Sequence, residues 1–501
     1  MMRCRKLFSL VLASALAFTS CSAVPADHEQ NVPKNGGIAG DNGTVSDMNP
    51  ETEEPGPADF VPDDVNYEGL TVRFMVCSAY YDDNSSEIAP LEEEYQPGEI
   101  IPEAVVERNN LVYEKIGVEI ESLPTELRGN WSGYQSSLEK SVASGANDYD
   151  AICGAAYGAY HCAVQQLLVN LEAVDSLDLS HPWWSQRSRK SFDFGADTPI
   201  VYYINGDINY FDNWGSSCFL FNKNFLVDHG YEYPYDLVRE YKWTFDAMTS
   251  MASNMYSDLD GNGKKKANDA FGIVANTGIM ERYLPANGFD YIIRNDQDEL
   301  VLNETEAFVN AAETLFNYLR YDENVYLDNG GYSAIFYRGD AGFSEDNLSA
   351  IRRASAEMED DYGVLPFPMW DESQQEYGCS VNEAWATVCG ITVTADRETV
   401  GLALDVMGAF SPETVTEAVV DRGAMIRNAR DEDTADMIRI IMDSAEFPFS
   451  LLVEWGGINM AFNSMLAAKR EFDYASLAAR MGKIVESESQ KALEALRSPK
   501  S

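Results

Sequence analysis

Along the chain, the spacing of apolar residues switches repeatedly between two periods. LTVRFMV, residues 70 to 76, is a β-rich and nearly continuous apolar run, which predicts a buried strand. From Pro102 the spacing becomes helical: Val105, Leu111, Val112 and Ile116 share one face, Gly117 stops the helix, and VEIESL follows as the next strand. A second helix is predicted around Tyr134 to Ala143, and Tyr149-Asp150-Ala151-Ile152 reads as a third strand running into a Gly/Ala/Tyr loop at 154 to 157. Alternating strand and helix with short connections predicts an α/β fold with mainly parallel sheets covered by helices. In open sheets of that kind, ligands gather at the carboxyl ends of the strands.

VYYINGDI, residues 201 to 208, also reads as a strand and leads through Tyr210 and Trp214 into SSCFLFNKNFL. The chain then turns strongly helical, and a return strand is predicted around Trp385 to Val393. Two long excursions joined by strand-like crossings predict two hinged lobes, each a mainly parallel sheet flanked by helices. The first covers 66–213 and about 386–430; the second covers about 217–384 and 431–501. No fixed-period repeat is visible.

The amino-terminal end has a different character. Arg3, Arg5 and Lys6 precede an apolar run from Leu7 to Phe18, which ends at Thr19-Ser20-Cys21. That is the pattern of a secretory signal over 1–20, too short for the roughly 20 apolar residues that a membrane span requires. LAFTSC resembles a bacterial lipobox, which implies that Cys21 becomes a lipidated terminus on the outer face of the cell membrane. Residues 21–65 are rich in Pro, Gly, Asp, Glu, Asn and Ser and predict a disordered tether. The formal net charge of -46 repels phosphate and so excludes nucleic acid as a partner.

Candidate chemistry is sparse. Outside the leader, Cys77, Cys153, Cys162, Cys218, Cys379 and Cys389 include no C-x-x-C pair, which argues against zinc or iron–sulfur ligation. Buried thiols and disulfides such as Cys379 with Cys389 both remain open. The four histidines leave little material for a His-centred site. No G-x-S-x-G, H-E-x-x-H or phosphate loop occurs. Asp258, Asp260 and Asn262, the carbonyl of Lys264, and Asp269 do follow the spacing of a calcium loop, with oxygen donors at positions 1, 3, 5, 7 and 12. A structural Ca²⁺ is expected in loop 258–269; an ordinary Asp/Asn/Gly turn is the alternative.

Several blocks resemble the family 1 extracellular solute-binding proteins, the sugar-binding lipoproteins of bacterial ABC importers. They are ERNNLVYEKIGVEIE (107 to 121), DYDAI (148 to 152), DLSHPWW (178 to 184), FNK (221 to 223), REYKWTFDAM (239 to 248), DLDGNGKKKANDAFGI (258 to 273), GVLPFPMWDESQQEY (363 to 377) and RDEDTADMIRIIMDS (430 to 444). The resemblance implies a two-lobed periplasmic-binding-protein-like fold of the second topological class, a carbohydrate solute and permease subunits as partners. It also implies a monomer and no catalysis. An exported glycan-active hydrolase is the alternative, since among so many acidic residues two carboxylates suited to a sugar bond can occur by chance.

Sugars present apolar C–H faces ringed by hydroxyls, so a sugar cleft calls for aromatic platforms beside polar groups. Trp214 at the first crossing, Trp385 at the return crossing and Trp455 in VEWGG are the leading candidates. Tyr80, Asp82, Tyr157 and Asp207 lie in strand-end loops, and Glu345, next to Asp346, could accept sugar hydroxyls. Trp183, Trp184 and Trp243 read as packing residues at helix starts.

Overall fold

The strand Leu70–Val76 pairs in parallel with Val118–Pro124 on one side and Ala151–Ala155 on the other; Thr387–Ile391 adds antiparallel to Ala151–Ala155. These relations come from a computed structural model that describes residues 56–76, 85–90, 99–125, 133–420 and 429–498. All five residues of Ala151–Ala155 are buried, as expected of a strand paired on both edges and covered on both faces. The helix Ile100–Ile116 starts two residues before Pro102 and buries Val105, Val112 and Ile116. It ends at Gly117 in the left-handed region, with φ 68°, whose N–H bonds to the Tyr113 carbonyl. A side chain there would also come within 2.2 Å of Asn66 Oδ1, so this stop requires glycine twice over.

The second sheet has the order Tyr362–Leu365, Ser217–Asn222, Ala341–Asn347, Phe271–Asn276, Val325–Asp328. Here the expectation of a mainly parallel sheet is corrected. Phe271–Asn276 is parallel to both neighbours, but Ser217–Asn222 is antiparallel to both of its own. The reason is connectivity. The chain enters this lobe at Ser217 and Ala341–Asn347 returns toward the same point, where Leu348 and Ser349 donate to the carbonyls of Ser216 and Trp214. The expected strand 201–208 is also absent: the segment is largely buried but makes only isolated bridges, Ile204 with Cys389 and Gly206 with Trp184. Gly206 turns so tightly against Trp183 that a Cβ would lie 2.2 Å from its carbonyl oxygen.

Three segments cross between the sheets side by side. Ser216 bridges Val381, Asn382 N–H reaches the Gly215 carbonyl at 3.1 Å, and Cys379–Ser380 pairs in parallel with Ala445–Glu446. Backbone hydrogen bonds therefore hold the crossings together.

Both ends depart from the expected boundaries. Ala58 and Val61 are buried against the first core, and the Phe60 ring lies 4.9 Å from His181 and 5.6 Å from Trp183, so residues expected in the tether belong to the folded body. Two small apolar residues do this within a stretch whose composition otherwise reads as solvated. The helix Tyr474–Arg497 was expected in the second lobe. It packs Tyr474, Leu477 and Met481 into the second core and Val485, Ala492 and Leu496 into the first, and so ties the lobes together.

Cys153, Cys162, Cys218, Cys379 and Cys389 are buried free thiols, which overturns the disulfide alternative for Cys379 and Cys389. Cys379 lies in the crossing ladder, whereas Cys389 stands opposite Cys153 in the first sheet. Cys77 lies outside the described residues. Among the described residues, no helix is long and apolar enough to cross a membrane.

Candidate ligand-binding site

At the carboxyl end of Ala151–Ala155 the chain turns directly into the helix Ala156–Val164, which places Tyr157 in its first turn. The backbone there is held to the second crossing: Ala156 N–H reaches the Ala386 carbonyl at 3.1 Å and Tyr157 N–H the Glu383 carbonyl at 3.4 Å. Burial, then the neighbouring Glu454 carboxylate and finally Glu383, push the Tyr157 phenol up to about 12. Its ring meets His161 edge-on with centroids 4.6 Å apart. Trp385 is half-buried two residues after Glu383, and its N–H bonds to the Asn382 carbonyl.

The second lobe supplies carboxylates. The helix Ile279–Ala286 begins just after Phe271–Asn276 and carries Glu281 and Arg282. Arg282 gives two hydrogen bonds to Glu345 Oε1, at 3.1 and 2.6 Å, and Asn276 N–H bonds to Glu345 Oε2 at 3.1 Å. Glu345 is thus only 1% exposed and fully engaged inside the lobe, not free to meet a ligand. Asp346 beside it is pushed up to about 7 by burial. Glu281 keeps Arg282 at 3.8 Å from Oε1 while Oε2 has no partner, and burial raises it to about 7. Glu383, half-buried at the crossing, is raised to about 8 by desolvation and then by Glu281 and Glu454. Glu454 has φ 46°, a strained conformation for a residue with a side chain, and accepts from Asn459 Nδ2 at 3.4 Å.

Tyr157, Glu383, Glu281 and Glu454, from both lobes and the crossings, therefore act electrostatically on one another, and Trp385 follows Glu383 by two residues. The sequence reading named Tyr157 and Trp385 and missed the three glutamates. Glu383 and Glu454 sit within two residues of tryptophans that it did single out, and Glu281 follows the carboxyl end of a central strand, where ligands gather in open sheets.

Other expected positions fall elsewhere. Trp455 is 3% exposed, donates to the Tyr160 hydroxyl at 2.7 Å and meets Phe449 edge-on, so it is a core residue with no open face. Trp214 is buried with the Arg352 guanidinium 3.9 Å above its ring. Asp207 accepts from Thr416 Oγ1 at 3.0 Å under the first lobe, where burial raises it to about 6. Tyr80 and Asp82 lie outside the described residues, as does Cys21.

The expected calcium loop precedes Phe271–Asn276. Asp258, Asp260 and Asp269 each bring a carboxylate oxygen within 4.8 Å of the others, and Asp269 is wholly buried. Asn262 accepts the Lys264 N–H, and Lys265 turns its ammonium away to the Asp322 carbonyl. Three convergent carboxylates fit a hard divalent cation.

Neither a family model nor a curated protein matches the sequence. Solved structures do match the fold. A cyclo/maltodextrin-binding protein complexed with maltotetraose superposes with TM-score 0.53 at 12% identity, covering 86% of this chain and 98% of its own. UspC of M. tuberculosis gives 0.51 at 12% identity over 84% of this chain and 100% of its own. An ABC substrate-binding protein from Listeria monocytogenes in complex with cycloalternan gives 0.50 at 12% identity, with 86% and 98% covered. The chain has the two-lobed, periplasmic-binding-protein-like α/β fold.

Proposed function

We propose that the protein is the extracellular solute-binding subunit of an ABC importer and captures a sugar or oligosaccharide between its lobes without breaking it. The observation that carries this reading is the set of acceptors Glu281, Glu383 and Glu454, contributed by different segments and acting on one another, with Glu454 and Glu383 also acting on Tyr157. Glu281 Oε2 is buried without a donor, which a solute rich in hydroxyls can supply. The proteins of like fold that are bound to maltotetraose and cycloalternan support the sugar class. In this reading closure on the solute makes the form that permease subunits recognise, and a monomer suffices.

Thermal denaturation against a glycan panel tests it: the cognate sugar at about 100 times its Kd adds about 2.7 kcal/mol of stability. No change with any glycan contradicts the sugar class, and release of a cleavage product favours the hydrolase instead.

Two features belong to the same proposal. Cys21, at the end of LAFTSC, carries lipid and anchors the chain to the outer face of the cell membrane. Cys21→Ala then releases the protein from the detergent phase; unchanged partitioning contradicts lipidation. Loop 258–269 holds a structural Ca²⁺ through Asp258, Asp260, Asn262, the Lys264 carbonyl and Asp269, supported by the convergence of its three carboxylates. Added Ca²⁺ is expected to raise the melting temperature of chelator-treated protein, and Asp269→Asn to abolish the rise. A melting temperature indifferent to chelator and to Ca²⁺ contradicts the site.

A further inference from the structure

We infer that Cys153 and Cys389 are a site of covalent modification: they become a cross-strand disulfide as the chain folds, with a disulfide-bearing oxidant as co-reactant. This goes beyond solute capture and stands whatever the solute is.

The two residues are direct partners in the register of the antiparallel pair Ala151–Ala155 and Thr387–Ile391. The kind of partnership decides whether a bridge fits. Cys389 gives its N–H to the Ile204 carbonyl and accepts the Ile204 N–H on its own carbonyl, both at 2.8 Å. Both of its backbone groups therefore point away from Cys153. The ladder bonds to Ala151–Ala155 and its extensions fall on alternate residues, as in the bonds from Thr392 N–H to the Asp150 carbonyl and from Ala156 N–H to the Ala386 carbonyl. Cys153 and Cys389 are thus a non-hydrogen-bonded pair, in which Cα atoms stand about 4.5 Å apart with the side chains on one face. A disulfide spans Cα separations of about 4.4–6.8 Å.

The side chains converge as that register requires. The Asn209 amide nitrogen lies 3.7 Å from Cys153 Sγ and 3.9 Å from Cys389 Sγ, so one donor reaches both sulfurs. Cys153 Sγ also donates to Glu87 Oε2 at 3.6 Å, on the same side of the sheet. Cys218 and Cys379, by contrast, stand opposite Asp346 and Ala445 in their ladders and face no cysteine there.

Both residues are wholly buried, and the hydrogen bond with Cys389, followed by burial, holds the Cys153 thiol well above its ordinary pKa. The nucleophile in disulfide exchange is the thiolate, so the bridge forms while the chain is still folding and the sulfurs are open to water. One cysteine thiolate attacks the disulfide of the oxidant, a small disulfide or the active disulfide of an oxidoreductase, and expels one thiolate. The second cysteine thiolate attacks the protein sulfur of that mixed disulfide, forms the S–S bond and expels the other. Two electrons pass to the oxidant, which leaves as two thiols carrying the two protons.

The position gives the bridge its consequence. It pins the strand that runs into Tyr157 to the strand that leaves the second crossing, and it closes a loop, 154–388, that contains all five strands of the second sheet. Closing so long a loop restricts chiefly the unfolded chain, so the bridged form is the more stable.

Refolding of the whole chain from guanidinium, in reduced dithiothreitol or in oxidised glutathione, tests the inference when followed by alkylation under denaturing conditions and non-reducing peptide mapping. Refolding in glutathione should give native circular dichroism, a peptide linking Cys153 to Cys389, and a melting temperature about 5 °C above that of the reduced form. Cys153→Ala and Cys389→Ala should each abolish that redox-dependent difference and leave the remaining partner open to alkylation, whatever the substitution itself does to stability. A chain that joins other cysteines in place of this pair, carries only glutathione adducts, or fails to regain its fold when oxidised would overturn the inference.

Discussion

Trp455→Ala is expected to lose on the order of 3–5 kcal/mol of folding stability, the usual range for removing a large aromatic from a core. The indole is almost wholly buried, meets Phe449 edge-on and donates to the Tyr160 hydroxyl. Truncation therefore leaves a cavity and also an unsatisfied phenol, whose own burial holds its pKa well above the ordinary value. The position amplifies the loss, since Trp455 packs into the first core immediately before the helix Ile458–Ala467 packs into the second. Equilibrium urea unfolding measures it. Retained stability together with lost solute affinity would contradict the packing assignment and make Trp455 a stacking residue after all.

Arg282→Ala is the second large effect, for an electrostatic reason. Removing the guanidinium strands the Glu345 carboxylate in a site that is 1% exposed, and breaking one half of a buried pair typically costs about 3–5 kcal/mol. Removing both charges while keeping an acceptor for the Asn276 N–H, Arg282→Met with Glu345→Gln, should recover most of that stability, because the penalty lies in the unpaired charge. Denaturant midpoints of the single and double variants decide the matter. A single variant that loses less than about 1 kcal/mol would show that Glu345 accepts a proton and stays neutral at little cost.

The periodicity of the sequence made the α/β character legible, because strand runs such as 70–76 and amphipathic runs such as 100–116 obey local rules. Strand direction in the second sheet was not legible, since it depends on where the chain enters and leaves the lobe. The helix Tyr474–Arg497 shows an ordinary amphipathic pattern, and nothing local reveals that its two halves serve different cores.

The site was legible only in outline. Tryptophans are conspicuous in a sequence, but a core tryptophan such as Trp455 and a half-buried one such as Trp385 look the same there. The glutamates were hidden among 82 acidic residues, and only partial burial with the desolvation it brings separates Glu281 and Glu383 from the solvated majority. The calcium-type loop, by contrast, is a local motif, and the sequence spacing alone identified its three convergent carboxylates.

The claim that the lobes close on a captured sugar is tested most directly by small-angle X-ray scattering of the whole chain, with and without the glycan that most raises its melting temperature. The account predicts a smaller radius of gyration at saturating glycan and recovery of the larger value once the glycan is dialysed away. A radius unchanged at saturation would contradict capture by closure.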